Sequence, residues 1–140
     1  MEKLEHIGIA VRNLEEANQL FTRLLGKGPY KTEEVESEGV RTSFFELSGI
    51  KIELLESSRA GSPIDKFLEK RGEGIHHLAF EVQDIKSSLA GYKDAGFEAV
   101  TPEPKQGADN KLISFLHPRQ TGGVLIELCQ EISDAAPSDL

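Results

Sequence analysis

The chain has 140 residues, 38% of them hydrophobic and 29% charged, with 24 acidic against 16 basic side chains and a net charge of -8. That length suits one domain or two small fused halves. The acidity excludes a general nucleic-acid-binding surface, which needs a basic face, but leaves room for an anionic small substrate held by a local Lys or Arg cluster.

No apolar run reaches the length of a membrane span, and no basic-then-apolar leader opens the chain. Cys129 is the single cysteine and allows no internal disulfide. A cytoplasmic protein without membrane contact is therefore expected.

Residues 4–11 read as a first strand. Asn13 follows as a helix N-cap with Glu16 three places on, a capping box. Leu14, Ala17, Leu20, Phe21, Leu24 and Leu25 recur at helical spacing, and Gly26 with Gly28-Pro29 stops the helix. Three strands are expected between 29 and 56. Gly39 separates the first from the second, and Ser48-Gly49 makes a tight turn into the third. Glu33, Glu34, Glu36 and Glu38 crowd the first of these and read as a solvated strand edge. The joint at 57–74 is rich in turn chemistry. It predicts a short helix over 64–71, with Ser62 as N-cap and Pro63 at the first helical position.

Residues 75–82 form the next strand and carry the pair His76-His77. Asp84 caps a helix whose face is Ile85, Leu89 and Tyr92 and which ends at Gly96. Pro102 and Pro104 belong to a loop or an edge strand. Residues 106–110 read as a loop, 112–116 and 124–128 as strands, and 131–140 as a fraying tail with little to bury.

The second half repeats the first. His6 overlays His77, Gly8 overlays Ala79, and Val11 overlays Val82, all at an offset of 71 read from the sequence. Ser43-Phe44-Phe45 matches the strand at 112–116 at the same offset. The strand at 50–54 matches 124–128 at an offset of 74, with three extra residues in the turn 117–123. The chain is thus expected to be an α+β protein of two tandem β-α-β-β-β modules. The modules span about 3–56 and 75–130 across the linker 57–74, and form a single domain over 1–130 followed by the tail.

Each module also ends in a copy of one motif: Ile52-Glu53-Leu54 and Ile126-Glu127-Leu128. Ionised carboxylates are seldom buried in apolar strands unless paired or metal-bound. By strand alternation His6, Gly8 and Ala10 share one face, as do His77, Ala79 and Glu81. The Ile/Val/Phe faces would lie under the helices, leaving both histidines on an opposite, concave face. Taken singly, a strand histidine is usually a hydrogen-bonded structural residue, and a strand glutamate usually faces water. The symmetric recurrence of His6, His77, Glu53 and Glu127 points instead to a shared metal site, whose N and O donors suit a divalent cation. His76 has the opposite parity and reads as structural or as a support to the ligands. His117-Pro118 lies in a turn and reads as a cap, a substrate contact or neither.

These blocks carry a resemblance. The segments His6-Ile7-Gly8-Ile9-Ala10-Val11, Lys51-Ile52-Glu53-Leu54-Leu55-Glu56, Ile64-Asp65-Lys66-Phe67-Leu68 leading into Gly74-Ile75-His76-His77-Leu78-Ala79, and Phe115-Leu116-His117-Pro118 with Gly123-Val124-Leu125-Ile126-Glu127-Leu128 resemble the vicinal oxygen chelate (glyoxalase/bleomycin resistance) superfamily. Within it they are similar to the methylmalonyl-CoA epimerase family. The resemblance spans roughly residues 3–130, and the last two blocks are the specific ones.

The resemblance implies a mixed sheet curled round a divalent metal, in a homodimer acting on an acyl-CoA. Co2+ is the expected active ion, with Mn2+, Zn2+, Ni2+ or Mg2+ as alternatives. His6, His77 and Glu127 are its implied ligands, with Glu53 where the family has Gln or Glu. The implied reaction interconverts (2R)- and (2S)-methylmalonyl-CoA by removing and returning the α-proton through a metal-stabilised enolate. Glu127 and Glu53 are the expected catalytic pair, Glu127 first. Some relatives have a glutamate proposed as a base where this chain has Thr42, which leaves one base unassigned. The alternatives are a glyoxalase I-type lactoylglutathione lyase, a non-catalytic drug-binding protein of the same fold and a metal-free dimeric scaffold. Against the lyase, the Asp-Pro-Asp-Gly-type turn common there is replaced here at 117–123. Drug binders do not need all four donors.

Overall fold

The computed structural model describes residues 3–132. Strand β1 (Lys3–Ala10) leads into α1 (Leu14–Leu25), where the Asn13 side chain accepts from the Glu16 backbone N–H at 2.9 Å. Strands β2 (Lys31–Val35), β3 (Val40–Leu47) and β4 (Ile50–Ser57) follow as a meander. Ser48 and Gly49, at φ 47° and 95°, make the two-residue turn between the last two. Helix α2 (Pro63–Arg71) occupies the joint, capped by the Ser62 hydroxyl accepting from the Asp65 N–H at 3.0 Å. Then come β5 (Gly74–Glu81), α3 (Ile85–Asp94) capped by Asp84, the short β6 (Lys105–Gln106), β7 (Lys111–Leu116) and β8 (Ile126–Glu131).

All eight strands join one mixed sheet in the order β2-β3-β4-β1-β5-β8-β7-β6. Antiparallel β1 and β5 form its centre; β4 runs parallel to β1 and β8 parallel to β5. The halves are therefore related by an approximate two-fold axis between β1 and β5. The register makes this concrete: Gly8 lies opposite His77 and His6 opposite Ala79. Glu53 pairs with Phe44 and Glu127 with Phe115, so the three-residue insertion falls between β7 and β8, as expected.

Helix α1 covers one wing of the convex face, burying Val11, Leu14, Ala17, Phe45 and Leu54. Helix α3 covers the other over Val82, Ile85, Leu116 and Leu128. Helix α2 does not join them. Its Ile64 and Leu68 pack with Ala10, Val40 and Leu55 on the concave side, walling one end of the cup.

Some expectations need correction. Leu20 and Leu24 are 51% and 68% exposed. The inward stripe of α1 is Leu14 and Ala17, both buried, with Phe21 and Leu25 partly buried against the core, and Leu20 and Leu24 fall on its flank. The acidic run is only partly solvated, since Glu33 accepts from the Asp109 N–H at 2.9 Å and Glu38 lies 2.6 Å from Lys105 Nζ. The last strand begins at Ile126 rather than at 124 and runs through Glu131, and the Ile132 N–H donates to the Asn110 carbonyl. The remainder of the expected tail, 133–140, lies outside the described residues. No helix among the described residues is long and apolar enough to cross a membrane.

Candidate metal centre and active site

The four residues singled out by the repeat meet at the floor of the cup. His6 Nε2 is 3.1 Å from His77 Nε2, 3.2 Å from Glu53 Oε1 and 3.8 Å from Glu127 Oε1. His77 Nε2 is 3.1 Å from Glu127 Oε1 and 3.5 Å from Glu53 Oε1. Every one of the four side chains is buried. Ligand atoms bonded at about 2.1 Å to one ion stand roughly 3.0–3.4 Å apart in octahedral or tetrahedral geometry, so these spacings fit a single cation. His6, His77 and Glu127 form a compact donor group, and Glu53 adds a fourth arm within reach of both rings.

Gly8 makes room for this. His77 sits across from it on β5, and a Cβ at Gly8 would lie only 2.7 Å from His77 Nε2. The glycine is needed because the imidazole occupies the space a side chain would take. Phenylalanines complete the frame: Phe44 presents its ring edge-on to His6 at 6.3 Å and Phe115 to His77 at 5.8 Å. These two rings share the repeat's offset of 71 but were not recognised as partners of the histidines from sequence.

Two further residues reach the site through backbone irregularities. Neighbours in a regular strand point to opposite faces. The β1–β5 pairing, however, shifts register between Leu4 and His6 and again between Gly8 and Ile9, which face the stretch from His77 to Ile75. At the first shift Glu5 turns inward, and its Oε1 lies 2.5 Å from His6 Nδ1. At the second His76 turns inward, with its Nδ1 2.9 Å from His77 Nδ1 and its ring edge-to-face with Phe67 at 4.9 Å. The parity argument had put His76 on the other face; the bulge overturns that, and His76 lines the cavity.

Without a cation the cluster is a mutually neutralising set. Burial alone would lower the His77 pKa, but the facing Glu127 and Glu53 carboxylates outweigh it and push it up to about 9. His6 is raised well above its ordinary value against the same opposing burial, by Glu127, Glu5 and Glu53. Burial would raise Glu127, yet the two rings hold it down at about 2, and Glu53 is lowered for the same reason. His76 moves the other way, to about 4, through burial and the neighbouring His77.

Above the floor is a cavity of about 270 Å³, walled by apolar side chains including Val40, Phe44, Leu55, Ile64, Ile113 and Leu125. Among the described residues, Lys105, ion-paired with Glu38, is the only Lys or Arg on its wall. Thr42 shares the strand face of Val40 and Phe44, but it is fully buried, its hydroxyl has no hydrogen-bond partner among the described residues and it does not line the cavity. His117 also lies off the wall and precedes a short 3-10 turn without a side-chain capping bond.

Comparison with known proteins gives a consistent picture. The profile of the Glyoxalase/Bleomycin resistance protein/Dioxygenase superfamily matches residues 5–115. An ethylmalonyl-CoA/methylmalonyl-CoA epimerase of Cereibacter sphaeroides is 41% identical over 130 residues, covering 91% of this chain and 97% of its own. An uncharacterised protein of Bacillus subtilis, YqjC, is 40% identical over 134 residues and 96% of both chains. A crystallised methylmalonyl-CoA epimerase of Streptomyces coelicolor, in complex with 2-nitronate-propionyl-CoA, superposes with a TM-score of 0.90 at 33% identity. That match covers 98% of this chain and 99% of the other.

Proposed function

The chain belongs to the Glyoxalase/Bleomycin resistance protein/Dioxygenase superfamily, and on that premise we propose that it is a methylmalonyl-CoA epimerase whose divalent cation is held by His6, His77, Glu53 and Glu127. The observation that carries this is the convergence of two imidazoles and two carboxylates at 3.1–3.8 Å on the floor of a mostly apolar cavity. Relatives named as epimerases of this substrate, at 41% and 33% identity over nearly the whole chain, support the choice of reaction.

The cation, when bound, supplies Lewis-acid stabilisation of the negative charge that develops on the thioester oxygen as the α-proton leaves. The protein does the rest. The apolar wall excludes water and leaves room for the acyl end of the substrate, while the nucleotide end lies outside a cavity of this size. Glu127 and Glu53 come from pseudo-symmetric strands and reach the floor from opposite wings of the sheet. A carboxylate has two oxygens, so each can serve the cation with one and exchange a proton with the other. We assign Glu127 as the first base and Glu53 as its partner on the opposite face of the α-carbon. The proposal includes a homodimer, as the resemblance implies, and the cytoplasmic setting expected from the sequence.

The test is α-proton exchange. Protein loaded with Co2+ or Mn2+ and incubated with methylmalonyl-CoA in deuterated water should incorporate deuterium at the α-carbon, lose that activity to a chelator, and regain it on reloading. Glu127→Gln should abolish the exchange. An absence of exchange in the loaded wild type would sink the epimerase reading, and turnover of a glutathione hemithioacetal would favour the lyase instead.

A further inference from the structure

Glu5 is a buried carboxylate, 3% exposed, that the proposed reaction leaves without a task. Ionised groups are expensive to bury, and the fold compensates this one with lysines: Lys51 Nζ lies 2.6 Å from Glu5 Oε2 and the buried Lys111 Nζ lies 3.9 Å away. Lys51 is itself shared with Asp109 of the second module at 3.3 Å. An apolar side chain would fill the same volume without that cost. What it could not do is accept the Nδ1–H of His6, which is the contact Glu5 makes with its other oxygen, at 2.5 Å.

The pseudo-symmetric position makes the comparison internal to the molecule. His76 precedes His77 as Glu5 precedes His6, at the matching register shift, and its Nδ1 lies 2.9 Å from His77 Nδ1. One architecture thus serves both rings: a residue at a bulge holds Nδ1, and Nε2 faces the floor. Only the chemistry differs, an anion behind His6 and an imidazole behind His77. A carboxylate accepting from the distal ring nitrogen fixes the tautomer and orientation of a metal-binding histidine and raises its basicity.

We infer that Glu5 is a positioning residue for His6, its carboxylate orienting the ring and making His6 the stronger of the two imidazole donors toward a divalent cation. The inference rests on the metal reading of the site. Lys51 holds the carboxylate in place, and through Asp109 it ties that hold to the seam between the modules.

The test compares Co2+ affinity, measured by competition with a chromophoric chelator, among wild type, Glu5→Gln and His76→Gln, with circular dichroism to verify folding. Glu5→Gln keeps the size and one acceptor oxygen, and removes the charge and the second acceptor. It should weaken Co2+ binding about 10–100-fold, and His76→Gln should weaken it less. In Zn2+-loaded protein, a downfield proton resonance from the His6 Nδ1–H should shift upfield in Glu5→Gln and vanish in Glu5→Ala. Unchanged affinity in Glu5→Gln, or a larger loss in His76→Gln, would overturn the inference while leaving the metal site standing. Wild-type protein that takes up no Co2+ would overturn the metal reading and this inference with it.

Discussion

At the level of single residues, the site depends on a missing side chain as much as on the groups present. The His77 ring lies where a Cβ of residue 8 would be. Gly8→Ala should therefore displace the ring and reduce Co2+ affinity by at least about tenfold while the fold persists, measured by the same competition titration. The titrating groups predict a pH dependence whose sign follows from their shifts. His77 is raised from 6.5 to about 9, so its contribution to the metal-free fold is complete below 6.5 and is lost as pH rises through 9. Glu127 is lowered from 4.5 to about 2, so its contribution is complete above 4.5 and is lost as pH falls toward 2. His76 is lowered from 6.5 to about 4 by burial, so keeping it in the fold costs stability as pH falls below 6.5. Metal-free protein should accordingly melt highest near pH 6.5, and its melting temperature should decline from 6.5 to 9 in scanning calorimetry. A cation needs both rings neutral. His77 is held at about 9 and His6 is raised by its carboxylates in the cation's absence, so binding at pH 7 should release protons, readable with a weakly buffered indicator. Release of none would mean the rings are not the ligands.

The elements differ in how they earn their places. Helices α1 and α3 are conventional amphipathic covers for the convex wings. Helix α2 is the linker turned to use: it packs on the concave side, sets Ile64 in the cavity wall and brings Phe67 against His76. Its start is held by Ser62, 1% exposed, whose hydroxyl accepts from the Asp65 N–H at 3.0 Å and meets the Ser57 hydroxyl at 2.6 Å. Ser62→Ala should cost about 1 kcal/mol in denaturant unfolding, the usual worth of a lost N-cap. The two bulges of the central strand pair are the other elements with a local purpose. Each breaks the alternation once, and each delivers the residue before a histidine to that histidine's own side.

Across the whole molecule, the sheet curls until its two outer edges meet. Asp109, in the turn before β7, accepts from Tyr30 OH at 3.0 Å and lies 3.3 Å from both Lys31 Nζ and Lys51 Nζ, while its N–H donates to Glu33. Lys105 meets Glu38 across the same gap. These contacts join the edge of the first module to β6 and the β6–β7 turn of the second, and they close the cup by side chains rather than by a strand ladder. Asp109→Ala should lower stability by about 1–3 kcal/mol, more than an isolated surface pair, because it leaves several donors without their acceptor. The loss should appear as a shift in the unfolding midpoint at an unchanged denaturant slope.

Much of this was written along the chain because it depends on order and period alone. Alternation and helical spacing specified the elements, the offset of 71 paired His6 with His77, and the shift to 74 located the insertion before β8. The apolar strands around Glu53 and Glu127 marked both carboxylates as buried. What the chain could not reveal is whatever depends on breaking a period or on closing distance. A bulge changes which face a residue takes without changing its neighbours in sequence, so Glu5 went unnoticed and His76 was assigned to the wrong side. The curl that brings Asp109 to Lys31 and Lys51, and the seating of α2 inside the cup, arise from twist and packing summed over eight strands. No stretch of sequence encodes those sums locally, and only the folded sheet decides them.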